Sequence, residues 1–302
     1  MAIIRNFRPD DVVAYVRLVN EIDELEKLGK ATSVEHMKER LGQPDCHPEQ
    51  DFFLAVENGL LVGYAEIWCE TEIGRVILDG AVHPAHRCRG VGNSLLEMAI
   101  ERSHRIGSEA VQIPIGQKMT ASQSFVEKRG FALVRRHWQM SLTNYGRAAL
   151  PTPHGYEVRH FACGDEEGLC ALQNLAFADH WGFRPNTTEE VRYLMNTSLC
   201  HPEGILLITE GQRMIAFCWT IDDAVDSKKG YVGMMGVDRA YHSRGLGRTV
   251  LVAGIEYLRE RGMKEIELMV DSRNPVAKRL YQSLGFKRKG IILWYQRRLS
   301  PC

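Results

Sequence analysis

Apolar positions along this chain follow the period of a strand in some stretches and of a helix in others, and the same succession occurs twice. Ile3 to Phe7 reads as a strand, and Pro9-Asp10 opens a helix carrying Val12, Val13, Val16, Leu18, Val19 and Ile22. A short helix is predicted around Ser33 to Leu41. Phe52 to Val56 and Leu60 to Trp68 read as strands joined at Glu57-Asn58-Gly59, a hairpin signal. Arg75 to Val82 extends this meander. A Gly-rich turn follows, then a helix from Gly90 to about Ile106, a strand from Ala110 to Ile115, a helix from Ala121 to Arg129, and one or two strands from Phe131 to Leu142.

The second half repeats the order. Tyr156 to Phe161 is a strand, Glu166 to His180 and Thr188 to Asn196 are helices, and Ile205 to Glu210 with Met214 to Ile221 form a hairpin. Tyr231 to Val237 leads into a second Gly-rich turn. A helix over Gly245 to Arg261 places Leu246, Val250, Leu251, Ile255 and Leu258 on one face. Ile266 to Val270, Asn274 to Leu284 and Phe286 onward complete the half. Antiparallel hairpins first and helical crossovers later predict an α/β fold with a mixed sheet flanked by helices.

Subtraction makes the repeat quantitative. Gly245 minus Gly90, Gly247 minus Gly92, and Gly285 minus Gly130 each give 155, whereas Arg159 minus Arg5 and Cys200 minus Cys46 give 154. Such constant spacing implies a duplicated domain, 1–150 and 151–302, joined near Ala149-Leu150-Pro151-Thr152-Pro153-His154-Gly155. The length of 302 residues suits two such domains.

Composition narrows the classes. With 44% hydrophobic and 25% charged residues the chain reads as an ordinary soluble globular protein, and Lys+Arg 38 against Asp+Glu 38 leaves no electrostatic case for nucleic acid or an anionic membrane. The N-terminus lacks a signal-peptide h-region and no apolar run approaches ~20 residues, so a cytoplasmic protein is expected. The eight cysteines include no Cys-x-x-Cys pair. Cys69, Cys170 and Cys218 lie among apolar neighbours, as reduced buried thiols do. His83 and His86 are close, but no second ligand pair follows, so both read as loop residues rather than metal ligands.

The two turns are the candidate chemistry. Val82-His83-Pro84-Ala85-His86-Arg87-Cys88-Arg89-Gly90-Val91-Gly92 and Val237-Asp238-Arg239-Ala240-Tyr241-His242-Ser243-Arg244-Gly245-Leu246-Gly247 each follow an apolar strand and enter an amphipathic helix. Free backbone N–H groups at a helix N-terminus make a diphosphate cradle.

A strand, Val-x-Pro-x-x-Arg-x-x-Gly-x-Gly, a helix, another strand and then Asn-x-x-Ala-x-x-x-Tyr-x-x-x-Gly-Phe together resemble the GNAT superfamily of acyl-CoA-dependent N-acyltransferases, in two copies covering nearly the whole chain. The first copy matches at Pro84, Arg87, Gly90 and Gly92. The second keeps Arg244, Gly245 and Gly247, with His242 where Arg or Gln is usual. His242 can still donate to a phosphate, and backbone amides carry most of the recognition. The later motif splits the halves the other way: Asn274, Ala277 and Tyr281 stand before Gly285-Phe286, against Met119, Ser122 and Val126 in the first half.

The resemblance implies acetyl-CoA as acyl donor and a small-molecule primary amine as acceptor, with catalysis in the C-terminal domain. Met235, Gly236 and Val237 would bind the pantetheine arm by backbone hydrogen bonds. His242, Ser243, Arg244, Gly245, Leu246, Gly247 and Arg248 would hold the pyrophosphate, Asn274 would touch the cofactor, and Tyr281 would protonate the departing thiolate. A phenol of pKa about 10 can do this for a thiol near 8.5 by hydrogen-bonding the developing charge. Without its flanking motif Tyr281 would read as a half-buried aromatic on a helix. The N-terminal domain would bind acetyl-CoA through Val82, Arg87, Cys88, Arg89, Gly90, Val91, Gly92 and Asn93, without an acid.

Asn174 to Gly182, Ala216 to Thr220 and Gly236-Val237-Asp238 are similar to the mycothiol synthase branch, tandem proteins that acetylate the cysteinyl amine of a cysteine-glucosamine-inositol pseudodisaccharide. In that branch a Glu early in the strand before the turn acts through water as base, and Tyr231 occupies its place here. Attack requires a neutral amine. His180, Asp222, Asp223 and Tyr231 are candidates for the base in the second half. Asp79, on the corresponding strand of the first half, is either catalytic or a cap on a backbone group. A non-catalytic acyl-CoA-binding sensor or scaffold is the alternative of another class. Acylation of a protein N-terminus is a third, for which the sequence supplies no acidic or basic groove.

Overall fold

The computed structural model describes residues 2–143, Gly146 and residues 153–299. Of the stretch expected to join the halves, Ala149 to Thr152 lies outside the described residues. The first half runs β1 (Ile3–Asn6), α1 (Val12–Glu26), α2 (Val34–Leu41), a one-turn α3 (Pro48–Asp51), β2 (Phe52–Glu57), β3 (Leu60–Glu70), β4 (Arg75–Val82), α4 (Val91–Arg105), β5 (Ala110–Gly116), α5 (Thr120–Glu127) and β6 (Ala132–Thr143). The second runs β7 (Glu157–His160), α6 (Glu166–Phe177), α7 (Thr188–Met195), β8 (Cys200–Glu210), β9 (Arg213–Asp222), β10 (Lys229–Val237), α8 (Leu246–Glu260), β11 (Glu265–Asp271), α9 (Pro275–Ser283) and β12 (Lys287–Arg298).

Local signals account for most boundaries. Asn58 and Gly59 both have positive φ, 52° and 79°, the backbone of a two-residue hairpin whose twist matches its strands. Ser33 caps α2 by accepting from His36 N, and Thr187 and Glu190 cap α7 reciprocally. On α1 the buried set is Val12, Tyr15, Val16, Leu18, Val19 and Ile22, while Val13 is exposed. Val13 was expected on the apolar face, but it lies about 100° around the helix from Val12, outside the stripe.

The chain folds into two compact units, Met1–His137 with Ile291–Cys302 and Trp138–Gly290. The sheet of the first has the order β1-β2-β3-β4-β5-β12, and that of the second β6-β11-β10-β9-β8-β7. The last strand of each half is therefore exchanged. Phe286 onward reads in the sequence as the end of the second half, yet Ile292 to Arg298 pairs antiparallel with β5, and Leu293, Tyr295 and Leu299 enter the core beneath α4. Both sheets are mixed, with parallel pairing between β4 and β5 and between β10 and β11. Each sheet is covered on both faces, by α1–α2 and α4 in the first unit and by α6–α7 and α8–α9 in the second.

The duplication extends to single contacts. Arg5 Nη1 donates to Asp11 at 2.6 Å, and Arg159 Nη1 to Asp165 at 2.5 Å. In both pairs the guanidinium holds the carboxyl below the usual range. The change of repeat spacing also has a structural origin. Lys229 pairs with Glu265 as Arg75 pairs with Ala110, so the offset is 154 on one strand and 155 on the next. Val237 minus Val82 already gives 155. The added residue is Gly233, at a bulge between Val232 and Met234, whereas β4 pairs with β3 without a break. A Cβ at Gly233 would overlap Ile221 Cδ1.

Helix α8 packs closely because Gly254 has no side chain: a Cβ there would lie 2.5 Å from the Sγ of fully buried Cys218. Gly254→Val is expected to destabilise the chain by about 3 kcal/mol, read as a lowered denaturant midpoint.

Candidate active site

The two turns have the same backbone. Cys88 (φ 60°) and Ser243 (φ 64°) take left-handed conformations, and so do Gly90 (φ 85°) and Gly245 (φ 82°), two residues later in each. Non-glycine residues seldom adopt such φ, so its recurrence at both turns marks a built device. The N–H groups of Cys88 to Gly92 and of Ser243 to Gly247 find no acceptor among the described residues. They lie at the N-termini of α4 and α8, where the helix dipole adds positive potential. A Cβ at Gly90 or Gly245 would meet nothing within 4 Å, so each cradle opens outward.

The cationic side chains of the turns brace the protein. Arg87 Nε donates to Val82 O at 2.8 Å, and its two terminal nitrogens clasp Glu26 at 2.5 and 2.7 Å. His242 makes the matching bond from Nε2 to Val237 O at 3.1 Å. His242 thus replaces Arg87 as the latch of the loop, leaving the amides as the free donors. Arg244 donates to the Tyr156 hydroxyl at 2.8 Å and stacks on Tyr241, and Arg248 donates to Ser283 Oγ at 2.9 Å. Arg89 is exposed, Val91 is buried, and Asn93 Oδ1 accepts from Arg129.

Beside each cradle the sheet splits. Parallel pairing between β10 and β11 ends at Tyr231–Glu267, and between β4 and β5 at Ile77–Gln112. Beyond these points β10 is paired only on its β9 side, Met235 opposite Cys218, Gly236 opposite Phe217 and Val237 opposite Ala216. Its other edge is open to an extended ligand that can pair with the backbone.

Helix α9 lies against the head of α8 in the second unit. Asn274 spends its Oδ1 on the helix cap, accepting from Ala277 N at 3.0 Å. Leu280 Cδ2 lies 3.7 Å from where a Cβ on Gly247 would stand, so α9 rests over the cradle. Tyr281 is 7% exposed and packs on Phe286, with ring centroids 5.9 Å apart. Burial pushes its phenol well above the ordinary value, and the Cys218 thiol adds to the rise, so it stays protonated at neutral pH. No described residue bonds to its hydroxyl. The first unit has Val126 here, buried and unable to donate.

A sequence profile of the acetyltransferase (GNAT) family matches residues 168–286, and one of the acetyltransferase (GNAT) domain matches residues 48–133. A mycothiol acetyltransferase of Thermomonospora curvata is 31% identical over 247 residues, 80% of this chain and 81% of that protein. The chain belongs to the GNAT acetyltransferase family. Another mycothiol acetyltransferase, from Catenulispora acidiphila, is 30% identical over 86% of both chains. A solved GCN5-related N-acetyltransferase from Sphaerobacter thermophilus has a TM-score of 0.79 at 26% identity, covering 99% of this chain and 96% of its own. A tandem GNAT protein from the clavulanic acid biosynthesis pathway shares the fold at a TM-score of 0.81 and 16% identity, over the full length of both. This is therefore an N-acetyltransferase enzyme with two GNAT domains in tandem, as its motifs imply. Among the described residues no helix is long and apolar enough to cross a membrane.

Within this GNAT frame the two faces of β10 differ. Val232, Met235 and Val237 join the core under α8, and Gly230 faces Leu258 of that helix. Met234 packs with the α6–α7 cluster and Gly236 abuts α6, and Tyr231, alternating with Gly230 and Val232, lies on that side of the sheet. A Cβ at Gly236 would come within 2.8 Å of Ala176 Cβ and Phe217 Cε1 and 3.3 Å of Phe177, and His180 stacks on Phe177 at 4.5 Å between centroids. Burial lowers the His180 pKa, so its imidazole is neutral near pH 7. Gly236→Ala is expected to push α6 outward, destabilising the fold by about 2 kcal/mol, as a lowered denaturant midpoint would show.

The candidate bases separate. Asp222 is held by Arg261 at 2.7 Å and His201 at 3.1 Å. Asp223 accepts from the Tyr231 hydroxyl at 2.5 Å. In the first unit Asp79 is not an open base: Lys30 Nζ bonds both its oxygens at 2.6 and 2.7 Å, and Gly80 N donates to it at 2.9 Å. Burial works to raise the Asp79 pKa, but the Lys30 ammonium more than offsets it. No pattern in the sequence singles out Lys30, which lies 49 residues from Asp79. The bulge at Gly233 did leave a signal, the step from 154 to 155.

Proposed function

We propose that the chain transfers the acetyl group of acetyl-CoA to a primary amine of a small molecule, with the chemistry in the second unit. The observation that carries this reading is the Tyr281 hydroxyl, protonated and bonded to no described residue, on the helix whose Leu280 lies over the cradle together with Val237 and Met235 of β10. Five unpaired amides at the head of α8 suit a diphosphate, and the open backbone of Met235 to Val237 suits an amide-bearing arm. Bound acetyl-CoA supplies the activated thioester.

The residues of the second unit then divide the work. Ser243 to Gly247 bind the diphosphate through backbone N–H, and β10 aligns the arm in the split. The bulge at Gly233 turns the strand locally, which re-aims its N–H groups relative to the unbulged β4. Tyr281 gives its proton to the sulfur as the C–S bond breaks. An acceptor amine attacks in its neutral form from the α6–α7 side, where His180 and Tyr231 supply polar groups, whereas the opposite side is the largely apolar core under α8 and α9.

The first unit has an intact cradle but no hydroxyl at Val126, no bulge, and Lys30 seated on Asp79, so it holds acyl-CoA without turnover. Amine-dependent release of thiol from acetyl-CoA is the test. The amine panel should include the cysteinyl amine of the cysteine-glucosamine-inositol pseudodisaccharide, which the resemblance of Asn174 to Gly182 and Ala216 to Thr220 implies. Acetyl-CoA binding without amine-dependent release by any acceptor would favour a sensor or scaffold instead.

A further inference from the structure

Tyr231 is the last residue of β10 paired to β11, so it stands at the apex of the split. Its neighbours Gly230 and Val232 face α8, and its own side chain faces the α6–α7 side from which an acceptor approaches. It is half-buried, and its hydroxyl donates to Asp223 Oδ2 at 2.5 Å. The other Asp223 oxygen is fixed by Val225 N and Asp226 N, both at 2.9 Å, so the carboxylate cannot turn away. Burial would raise the Asp223 pKa, but these two N–H groups, Tyr231 and Lys229 together lower it, and the carboxylate is ionised at neutral pH. A tyrosine hydroxyl has one proton to give. With that proton committed to Asp223, the phenolic oxygen offers only lone pairs to its remaining surroundings.

We infer that the Tyr231–Asp223 pair is the docking point of the acceptor amine, with Tyr231 Oη accepting a hydrogen bond from the amine and then its proton. This rests on the reading that the second unit acetylates an amine. As the N–C bond forms, the amine proton passes to Tyr231 Oη while the Tyr231 proton passes to Asp223 Oδ2. The C–S bond breaks and the sulfur takes the Tyr281 proton. Asp223 afterwards loses a proton to solvent and Tyr281 regains one, so one proton moves in net from nitrogen to sulfur.

The charges around the pair suit an amine nitrogen that gains positive charge as it attacks. Lys229 Nζ lies 4.9 Å from the Tyr231 ring centroid and 3.7 Å from Asp223, but it is also drawn to Glu267 at 3.2 Å. Lys289 bonds Glu267 and Glu265 in turn. Three carboxylates against two ammonium groups leave this face of the split net negative. The first unit has no counterpart, since Ile77 occupies the paired position and Lys30 already sits where an amine would approach Asp79.

Tyr231→Phe and Asp223→Asn in the full chain test the assignment. Asn keeps an oxygen for Val225 N and Asp226 N, but its amide would donate to Tyr231 and turn the phenolic proton into the cleft. For the best amine of the panel, both variants are expected to lose at least tenfold in kcat/KM, with acetyl-CoA affinity within twofold of the parent. Calorimetry of the same amine against CoA-loaded protein should show at least tenfold weaker binding. Amine affinity and kcat/KM within twofold of the parent in either variant would overturn the assignment. If the parent binds an amine through Tyr231 yet releases no thiol, the docking point stands and the transfer reading fails. If no amine binds CoA-loaded parent, the docking point fails too.

Discussion

Tyr281→Phe is expected to lower kcat by about 10²-fold while leaving acetyl-CoA affinity and folding unchanged, within the range that positioned acid catalysis contributes. The ring makes the packing contacts, with Phe286 and the core under α8, and phenylalanine keeps them. The hydroxyl bonds to no described residue, so its removal orphans no partner and should shift stability by no more than about 0.5 kcal/mol. Very few substitutions separate chemistry from folding so cleanly. A thiolate with a conjugate acid near pKa 8.5 is a fair leaving group by itself, which bounds the expected loss. Stopped-time thiol release at saturating acetyl-CoA would read kcat, and a thermal melt would check the fold. Activity within threefold of the parent would mean that the thiolate departs unaided.

Much of the fold was legible because duplication doubles each signal. Hydrophobic period marks the strands and helices, and the matched glycines mark the two turns that share one backbone. The left-handed backbone at Gly90 and Gly245 follows from residue type, but Cys88 and Ser243 share it without a glycine to announce it. The exchange of β6 and β12 was not legible, since two strands at the same place in a repeat carry interchangeable alternation, and pairing is decided by tertiary packing. The same limit applies to side-chain partners. Arg87 and His242 read as phosphate donors by position, yet each is turned back onto the carbonyl of the preceding strand. Tyr231 reads as a missing carboxylate, and only the fold shows that Asp223, eight residues earlier, reaches its hydroxyl.

The second large effect is expected from the cradles. Valine at Gly245 or Gly90 meets no neighbour within 4 Å of its Cβ, so nothing in the core is displaced. The φ of 82° or 85° is another matter, because a β-branched residue there is strained by about 1–3 kcal/mol and would relax by reshaping the turn and scattering its five amides. Each substitution therefore disables one cradle and leaves the other. Whether the second unit alone turns over is tested most directly by initial rates of amine-dependent thiol release for Gly245→Val and Gly90→Val. A loss of more than 100-fold is expected for Gly245→Val and a rate within threefold of the parent for Gly90→Val. Loss of turnover in Gly90→Val with retention in Gly245→Val would contradict turnover by the second unit alone.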